Sequence, residues 1–414
     1  MKRLALAALV AVGAAAQEPP APDTNDLLEA LLSSLLGQEE GETPEALQAR
    51  VAEIGGVAFR APVPLNYLDS AGLEGYLREL VEVEYPREQA EADARTLIAF
   101  DMLEPGTDLR VVRTRLLLDN VVGFYDDRPG HKRLFAVTDT QRLTPTNRIV
   151  MVHELRHALQ DQYADLHGIL PKSIGDFDDR RIAFMSVLEG DATLVMVRYL
   201  QELFPFGDAL TDATLPVPPI EGAPPVLRDQ LVRPYVDGLA LARTFYERGG
   251  WAALRDAWSR PPRSTEQVLH PEKLFAGEQP QEVAIPWSPL GGRVLAEGVL
   301  GEMLAGTLLG GDGLATAGWG GDLYRSWDLG GGTLLVWRAA WDTPSDEAEF
   351  REALRVRFEA SHGPSVQKGP FRVFTRMPWR VAVGGPPGAV LLVSSDAPAA
   401  FEAAIGGLSG LSRP

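Results

Sequence analysis

Apolar and polar positions along this chain follow two periods, and the change from one to the other divides it into elements. Apolar residues recur three and four apart over Pro44–Ile54, Leu73–Val83, Arg87–Met102 and Asp108–Asp119, which predicts four amphipathic helices. The period then shortens to two. Gly123–Tyr125 and Lys132–Thr138 flank the turn-forming run Asp126-Asp127-Arg128-Pro129-Gly130, so they read as a hairpin whose second strand lies at a sheet edge. Asn147–Asp165 returns to a helical pattern without interruption. A further helical stretch, Ile182–Met196, follows the acidic, cap-like run Asp176–Asp179 and ends near Phe206. Thr211–Pro234 holds six prolines and reads as an extended loop. Tyr235–Arg248 and Trp251–Trp258 read as helices parted by Gly249-Gly250.

Glu278–Pro289 is a plausible boundary. Beyond it the pattern predicts an apolar helix, Val294–Leu308, and then turns between strands across the glycine-rich stretch Gly310–Gly332. That stretch has no Gly-Lys-Ser/Thr signature, which excludes a phosphate-binding loop. Strands near Thr333–Ala339, Arg372–Arg376, Arg380–Val383 and Ala389–Ser394 and helices at Ser345–Glu359 and Ala397–Ala404 complete the chain. The fold class is therefore α+β: a mainly helical domain over residues 45–285 with a small sheet, then a smaller α+β module over residues 286–414. No internal repeat is evident.

Composition adds a compartment and removes some partners. Met1-Lys2-Arg3 precedes thirteen apolar or small residues from Leu4 to Ala16, closing on Ala14-Ala15-Ala16. A charged start, a short apolar stretch and small residues at its end are the marks of a cleaved export signal, so residues 1–16 are expected to be removed and the mature chain to be secreted or periplasmic. Thirteen residues are too few to span a bilayer and no other apolar run reaches eighteen, so no stable membrane insertion is expected after cleavage. Residues 17–44 are acidic and proline-bearing, interrupted by a short amphipathic segment at Leu27–Leu36, and read as a linker. The 414 residues include no cysteine, which excludes disulfides and a lipid-modified cysteine. The formal charge of −18 repels phosphate backbones, so no nucleic-acid partner is expected.

The chemistry is concentrated in His153-Glu154-Leu155-Arg156-His157. Residues four apart share a helix face, so both imidazoles can grip one metal ion. Glu154 lies about 100° round the axis, within reach of a water on that ion without being a ligand. A zinc hydrolase needs a third protein ligand and an open fourth position. The residues that follow on the same helix do not supply it. Asp161 continues the face but lies roughly 12 Å along the axis from His153, too far for one coordination sphere, and is expected instead to accept the free N–H of a ligand imidazole. The best third donor is Glu189, on a mostly apolar helix face where a carboxylate needs a cation or a hydrogen-bonded partner. Gly190 beside it is unfavourable within a helix and would allow close approach of another backbone, expected to be that of the His153–His157 helix. A buried pair of Glu189 with Arg181 is the metal-free alternative.

A His-Glu-x-x-His helix followed some thirty residues on by a glutamate ligand resembles the gluzincin class of zinc metallopeptidases. The strings Gly123-Phe124-Tyr125-Asp126, His153–Gln162 (HELRHALQDQ), Glu189–Thr193 (EGDAT), Ser264–Pro271 (STEQVLHP) and Gly318–Tyr324 (GWGGDLY) are similar to those of exported bacterial members of that class. The likeness runs from about residue 60 to near residue 395. It implies a gluzincin-like fold, with Zn2+ bound by His153, His157 and Glu189 and Glu154 as general base. It also implies a cleft-lining strand that takes an extended peptide or protein substrate as an added strand. One position departs from the pattern. Better-known members carry an aspartate four residues after the ligand glutamate; here that residue is Thr193, while Asp191 points elsewhere, leaving the support of the first histidine unassigned.

Such a centre implies peptide hydrolysis. Zinc brings a bound water to a pKa of about 7 and polarises a carbonyl, while Glu154 carries the proton to the departing amine. The developing oxyanion needs a further donor, for which His270, Tyr235 and Tyr125 are candidates, His270 being preferred. A zinc-binding envelope or accessory protein that cleaves nothing is the alternative. The unligated Glu154 and the absence of cysteine ligands weigh against it.

Overall fold

Side-chain caps set the starts of three of the four helices in the first third of the molecule, and they sit where the sequence pattern begins. The computed structural model describes residues 43–169, 171, 174–203, 222–311 and 313–410. The expected export signal, the linker with its Leu27–Leu36 segment, and residues 204–221 lie outside the described residues. Helix α1 (Pro44–Ile54) starts where Thr43 Oγ1 accepts the Ala46 N–H, and α2 (Ser70–Glu84) where Asp69 accepts from Gly72. Helix α3 spans Arg87–Ala99, and α4 (Leu109–Asn120) is capped by Asp108. All four lie close to the predicted segments.

Three strands form a small sheet in the order β1-β3-β2: β1 (Leu65–Leu68), β2 (Gly123–Asp126) and β3 (Arg133–Val137). The expected hairpin is present, with Tyr125 opposite Leu134. Its second strand is not the edge, however. β1 pairs in parallel with β3, which makes β3 central and β2 the edge strand. Strand β1 is only Leu-Asn-Tyr-Leu, too short to give a readable alternation, so the sequence did not announce it.

Helix α5 (Pro145–Ala164) carries the two histidines. Thr144 and Asn147 form a capping box at its start, and Asn147 also donates to the Val122 and Val137 carbonyls, which ties the helix to the hairpin. Asp165 ends it in the left-handed conformation, φ 44°. The helix has no solvent face between Ile149 and Asp161: every residue in that span is buried. Helix α6 (Asp179–Leu203) runs beside it and is buried over most of its length. Its closest neighbour is α7 (Pro225–Ser259). A Cβ on Gly190 would lie 2.0 Å from the Gly238 carbonyl oxygen, and one on Gly238 would lie 2.1 Å from the Ser186 carbonyl oxygen. The glycine at 190 therefore permits contact with α7, not with the histidine helix as expected. Helix α7 also replaces the expected loop from Pro225 to Pro234. Pro234 sits within it, and Gly249 and Gly250 form the predicted break as non-helical residues.

Short helices α8 (Thr265–Leu269) and α9 (Pro271–Ala276) lead to a seven-stranded antiparallel sheet in the order β4-β5-β6-β10-β9-β8-β7. The strands are β4 (Arg293–Gly298), β5 (Trp319–Asp328), β6 (Thr333–Trp341), β7 (Val366–Lys368), β8 (Phe371–Arg376), β9 (Trp379–Gly384) and β10 (Val390–Ser395). The predicted helix Val294–Leu308 is instead β4 followed by α10 (Gly301–Leu308), because Gly298 and the positive-φ Gly301 interrupt the pattern and β4 pairs with β5. Strand β5 also runs through the middle of what read as glycine-rich turns. Helices α11 (Pro344–His362) and α12 (Pro398–Leu408) lie against opposite faces of the sheet. Leu335, Trp337 and Ala339 of β6 pack with α11, α3 and α10, whereas Leu334 and Val336 pack with Phe401 and Ile405 of α12. The molecule is α+β, as expected. The helical part gives way to strands near the expected division at residue 285, yet a single apolar cluster, containing Leu77, Phe124, Ile182, Trp319 and Trp337, crosses it.

Two of the quoted strings build the seam between these parts. Asp179, at the start of α6, accepts from the Thr265 N–H and hydroxyl. Asp322 accepts from the Leu300 and Gly301 N–H groups and the Trp319 indole. Gly301 has φ 77° and faces Asp179 so closely that a Cβ would lie 1.8 Å from its oxygen. Ser264–Pro271 and Gly318–Tyr324 thus fasten the start of α6 to the sheet.

Candidate metal centre

Helix geometry brings His153 and His157 to one side of α5, and α6 brings Glu189 across to them. His153 Nε2 and His157 Nε2 lie 3.0 Å apart, and Glu189 Oε2 is 3.1 Å from the first and 3.2 Å from the second. The two rings are nearly perpendicular, at 81°. All three side chains are buried, at 1%, 6% and 2% exposure respectively. Tetrahedral zinc ligands at about 2.0–2.1 Å from the ion are roughly 3.3 Å from one another. Three donor atoms with lone pairs turned to a common point repel unless a cation or a proton sits among them, so the residues present fit a bound zinc ion. Without a metal, a proton takes that place. Burial alone would lower His157, but Glu189 beside it outweighs this and raises it to about 9. Burial would likewise raise Glu189, yet His157 and the hydrogen bonds from both rings hold its carboxyl well below the usual range. Burial lowers His153.

Glu154 is fully buried and coordinates nothing. Its Oε2 accepts the Tyr125 N–H at 2.8 Å, while Oε1 has no hydrogen-bond partner. Burial pushes its carboxyl up to about 8, against the pull of His157. A cavity of about 10 Å³ adjoins it, lined by Tyr125, Asp127, His157, Leu166, Met185, Leu188 and Glu189. That volume is about enough for one water.

The other expected site residues take different places: Tyr125 and Tyr235 lie at the centre, while His270 and Arg181 do not. Asp161 supports no imidazole; it accepts from the Tyr125 hydroxyl, the Lys132 ammonium and the Leu166 N–H. Tyr125 therefore has both its hydroxyl and its amide engaged, which removes it as a free oxyanion donor. Tyr235 stacks on the His153 ring, centroids 5.6 Å apart and planes within 19°. His270, preferred from the sequence, does not line the cavity. It caps the end of α8, and its Nε2 lies 2.9 Å from Glu302. Arg181 binds the Ile174 and Gly175 carbonyls rather than Glu189. A second acidic group, Glu266, Glu278 and Asp342, already surrounds the Lys273 ammonium, which serves as its cation.

Three residues that the sequence left without a role complete the surroundings. Gln160 Oε1 lies 2.8 Å from His157 Nδ1, and Gln160 Nε2 donates to Asp191 and to the Leu188 carbonyl. Asp191 also takes a two-pronged bond from Arg156 and one from the Trp258 indole. Asp191 does point away from the metal side of α6, as expected, but it reaches the second histidine through Gln160. The signal was present in the strings HELRHALQDQ and EGDAT, where all three residues stand within a turn of a ligand. The Nδ1 of His153 and the hydroxyl of Thr193 are buried without hydrogen-bond partners.

No curated protein and no solved structure matches this chain. A family model described as a domain of unknown function (DUF8575) matches residues 291–400, the sheet module, and includes none of the metal-centre residues.

Proposed function

We propose that this chain is an exported zinc-dependent endopeptidase of gluzincin type, with His153, His157 and Glu189 as ligands and Glu154 as general base. One observation carries the reading: three buried donor atoms converge within 3.2 Å of each other beside a buried, unligated carboxylate. When bound, zinc would supply Lewis acidity that polarises a peptide carbonyl and eases deprotonation of water. Glu154 is suited to the proton's path. Tyr125 N–H fixes one oxygen, and the other is free to take a proton from a water in the adjoining cavity and return it to the leaving amine nitrogen. Burial pushes this carboxyl up to about 8, and a zinc ion bound beside it would draw it down towards the ionised form that accepts the proton. The acidic surface, the absence of cysteine and the Met1–Ala16 stretch support export and a peptide or protein substrate over nucleic acid. Among the described residues no helix is long and apolar enough to cross a membrane.

A second reading, a zinc protein that cleaves nothing, is favoured by the enclosure of the centre, where the adjoining cavity of about 10 Å³ has room for one water and none for a peptide. One experiment separates the two. A peptide library is digested with the purified chain and with Glu154→Gln, and zinc is measured in both. The peptidase reading expects about one zinc per chain in each, and cleavage that falls about 10²–10⁴-fold in the variant. Zinc in both with cleavage by neither would establish the second reading. Zinc in neither would end both.

A further inference from the structure

We propose that Gln160 and Asp191 are positioning residues for the metal centre, holding His157 as the tautomer whose Nε2 lone pair faces Glu189 and His153. The proposal rests on the zinc reading and deepens it.

The hydrogen-bond pattern around Gln160 leaves one arrangement. One end of its amide meets two groups that can only accept, the Asp191 carboxylate at 2.8 Å and the Leu188 carbonyl at 3.1 Å. That end must be the NH2. The carbonyl end therefore faces His157 Nδ1 at 2.8 Å, and because it can only accept, Nδ1 carries the hydrogen. A neutral imidazole has one N–H, so Nε2 is left bare and available as a ligand. Asp191 cannot turn to relax this. Arg156 grips both its oxygens, at 2.8 and 2.9 Å, and the Trp258 indole binds at 3.0 Å. Gln160, Asp191 and Arg156 are all fully buried, so water does not compete.

The two imidazoles are consequently held by different means. His153 Nδ1 has no hydrogen-bond partner, and its ring is held by the face of Tyr235. A carboxamide stands between the charge of Asp191 and the metal ligand. It fixes the tautomer of His157 without placing a second anion against a centre that already contains Glu189.

The full chain, Gln160→Met and a control, Leu159→Ala, are titrated with zinc against a chromophoric chelator. The histidine side-chain nitrogen and N–H resonances of the zinc-loaded proteins are recorded alongside. Leu159 is the neighbouring buried residue; its apolar side chain packs in a cluster with Leu188 and Trp258 but makes no hydrogen bond, so its truncation weakens the fold while removing none of the hydrogen bonds of the relay. Gln160→Met should weaken zinc binding about 10–100-fold and abolish the protected His157 Nδ1–H resonance. Leu159→Ala should keep both within about threefold of the parent while losing thermal stability. If zinc affinity is unchanged in Gln160→Met, or falls equally in Leu159→Ala, the positioning role is refuted while the zinc reading survives. No zinc binding by the parent chain refutes both. Should Gln160→Met not fold, Gln160→Ala carries the same test. An alanine has no carbonyl to hold the His157 Nδ1–H, so zinc affinity should fall in the same direction, and unchanged affinity refutes the role.

Discussion

Single side chains at this centre divide into those whose chemistry could be assigned from spacing and those whose partners come from other elements. His153, Glu154 and His157 belong to the first group, because four residues on a helix return to the same face whatever the rest of the fold does. His270 belongs to the second: its place in a polar run suggested a donor, but Glu302, on α10, engages its ring. Arg156 lies inside the His-Glu-x-x-His string and gave no chemical signal of its own. Its guanidinium is fully buried between Asp191 and the rings of Trp251 and Trp258. Removing one partner of a buried ion pair leaves the other charge uncompensated. Arg156→Met is therefore expected to cost about 3–5 kcal/mol, read as a lower urea midpoint, and a loss below about 1 kcal/mol would refute the importance of the pair. Glu189→Ala removes one of the three proposed ligands and is expected to leave less than about a tenth of the zinc bound by the parent chain. Metal analysis of the dialysed variant checks this, and full zinc occupancy would mean that Glu189 is no ligand.

At the scale of elements, the packing of α6 against α7 governs the position of Glu189. The two backbones touch where Gly190 meets Gly238, and a methyl group at either position has nowhere to go. Gly190→Ala is expected to destabilise the chain by about 1–3 kcal/mol or more and to lower zinc occupancy, since Glu189 moves with its helix. Gly75, in the exposed middle of α2, is the opposite case, because a Cβ there meets nothing within 4 Å. Gly75→Ala is expected to stabilise by about 0.5–1 kcal/mol, so thermal unfolding of the two variants should shift in opposite directions. Helix and strand periods were readable for most elements; β5 was hidden by the glycines around it, and others failed for equally identifiable reasons. Strand β1 was too short to show a period, β4 and α10 ran together because both are apolar, and the start of α7 was hidden by prolines that α7 tolerates.

Across the whole molecule, carboxyls that are buried or half-buried contribute to the response to pH. Burial, with Asp176 nearby, pushes Asp93 up to about 7, and burial raises Asp322 to about 6. A carboxyl whose folded pKa is raised stabilises the fold below its unfolded value near 3.8, and that stability is lost as pH rises through the folded value. Between about pH 4 and pH 7 this contribution should decline, and Asp93→Asn should flatten the decline while remaining more stable than the parent above pH 7. A steeper slope in the variant would contradict the assignment. The proposed zinc would add a second dependence, because a ligand that binds only the folded chain stabilises it. Chelation should lower the thermal midpoint and added zinc should restore it. The shared helix face of His153 and His157, the α+β class and most element types were legible in the order of residues alone, because hydrophobic period and helix spacing are local properties of the chain. Which residues meet across that order was not: the contact of α6 with α7, the link from Asp191 through Gln160 to His157, the occupation of His270 by Glu302 and the continuity of the core past residue 285 all join segments distant in sequence. Their partners are fixed by close packing and by the need of each buried polar group for a complement, conditions that exist only once the chain has folded.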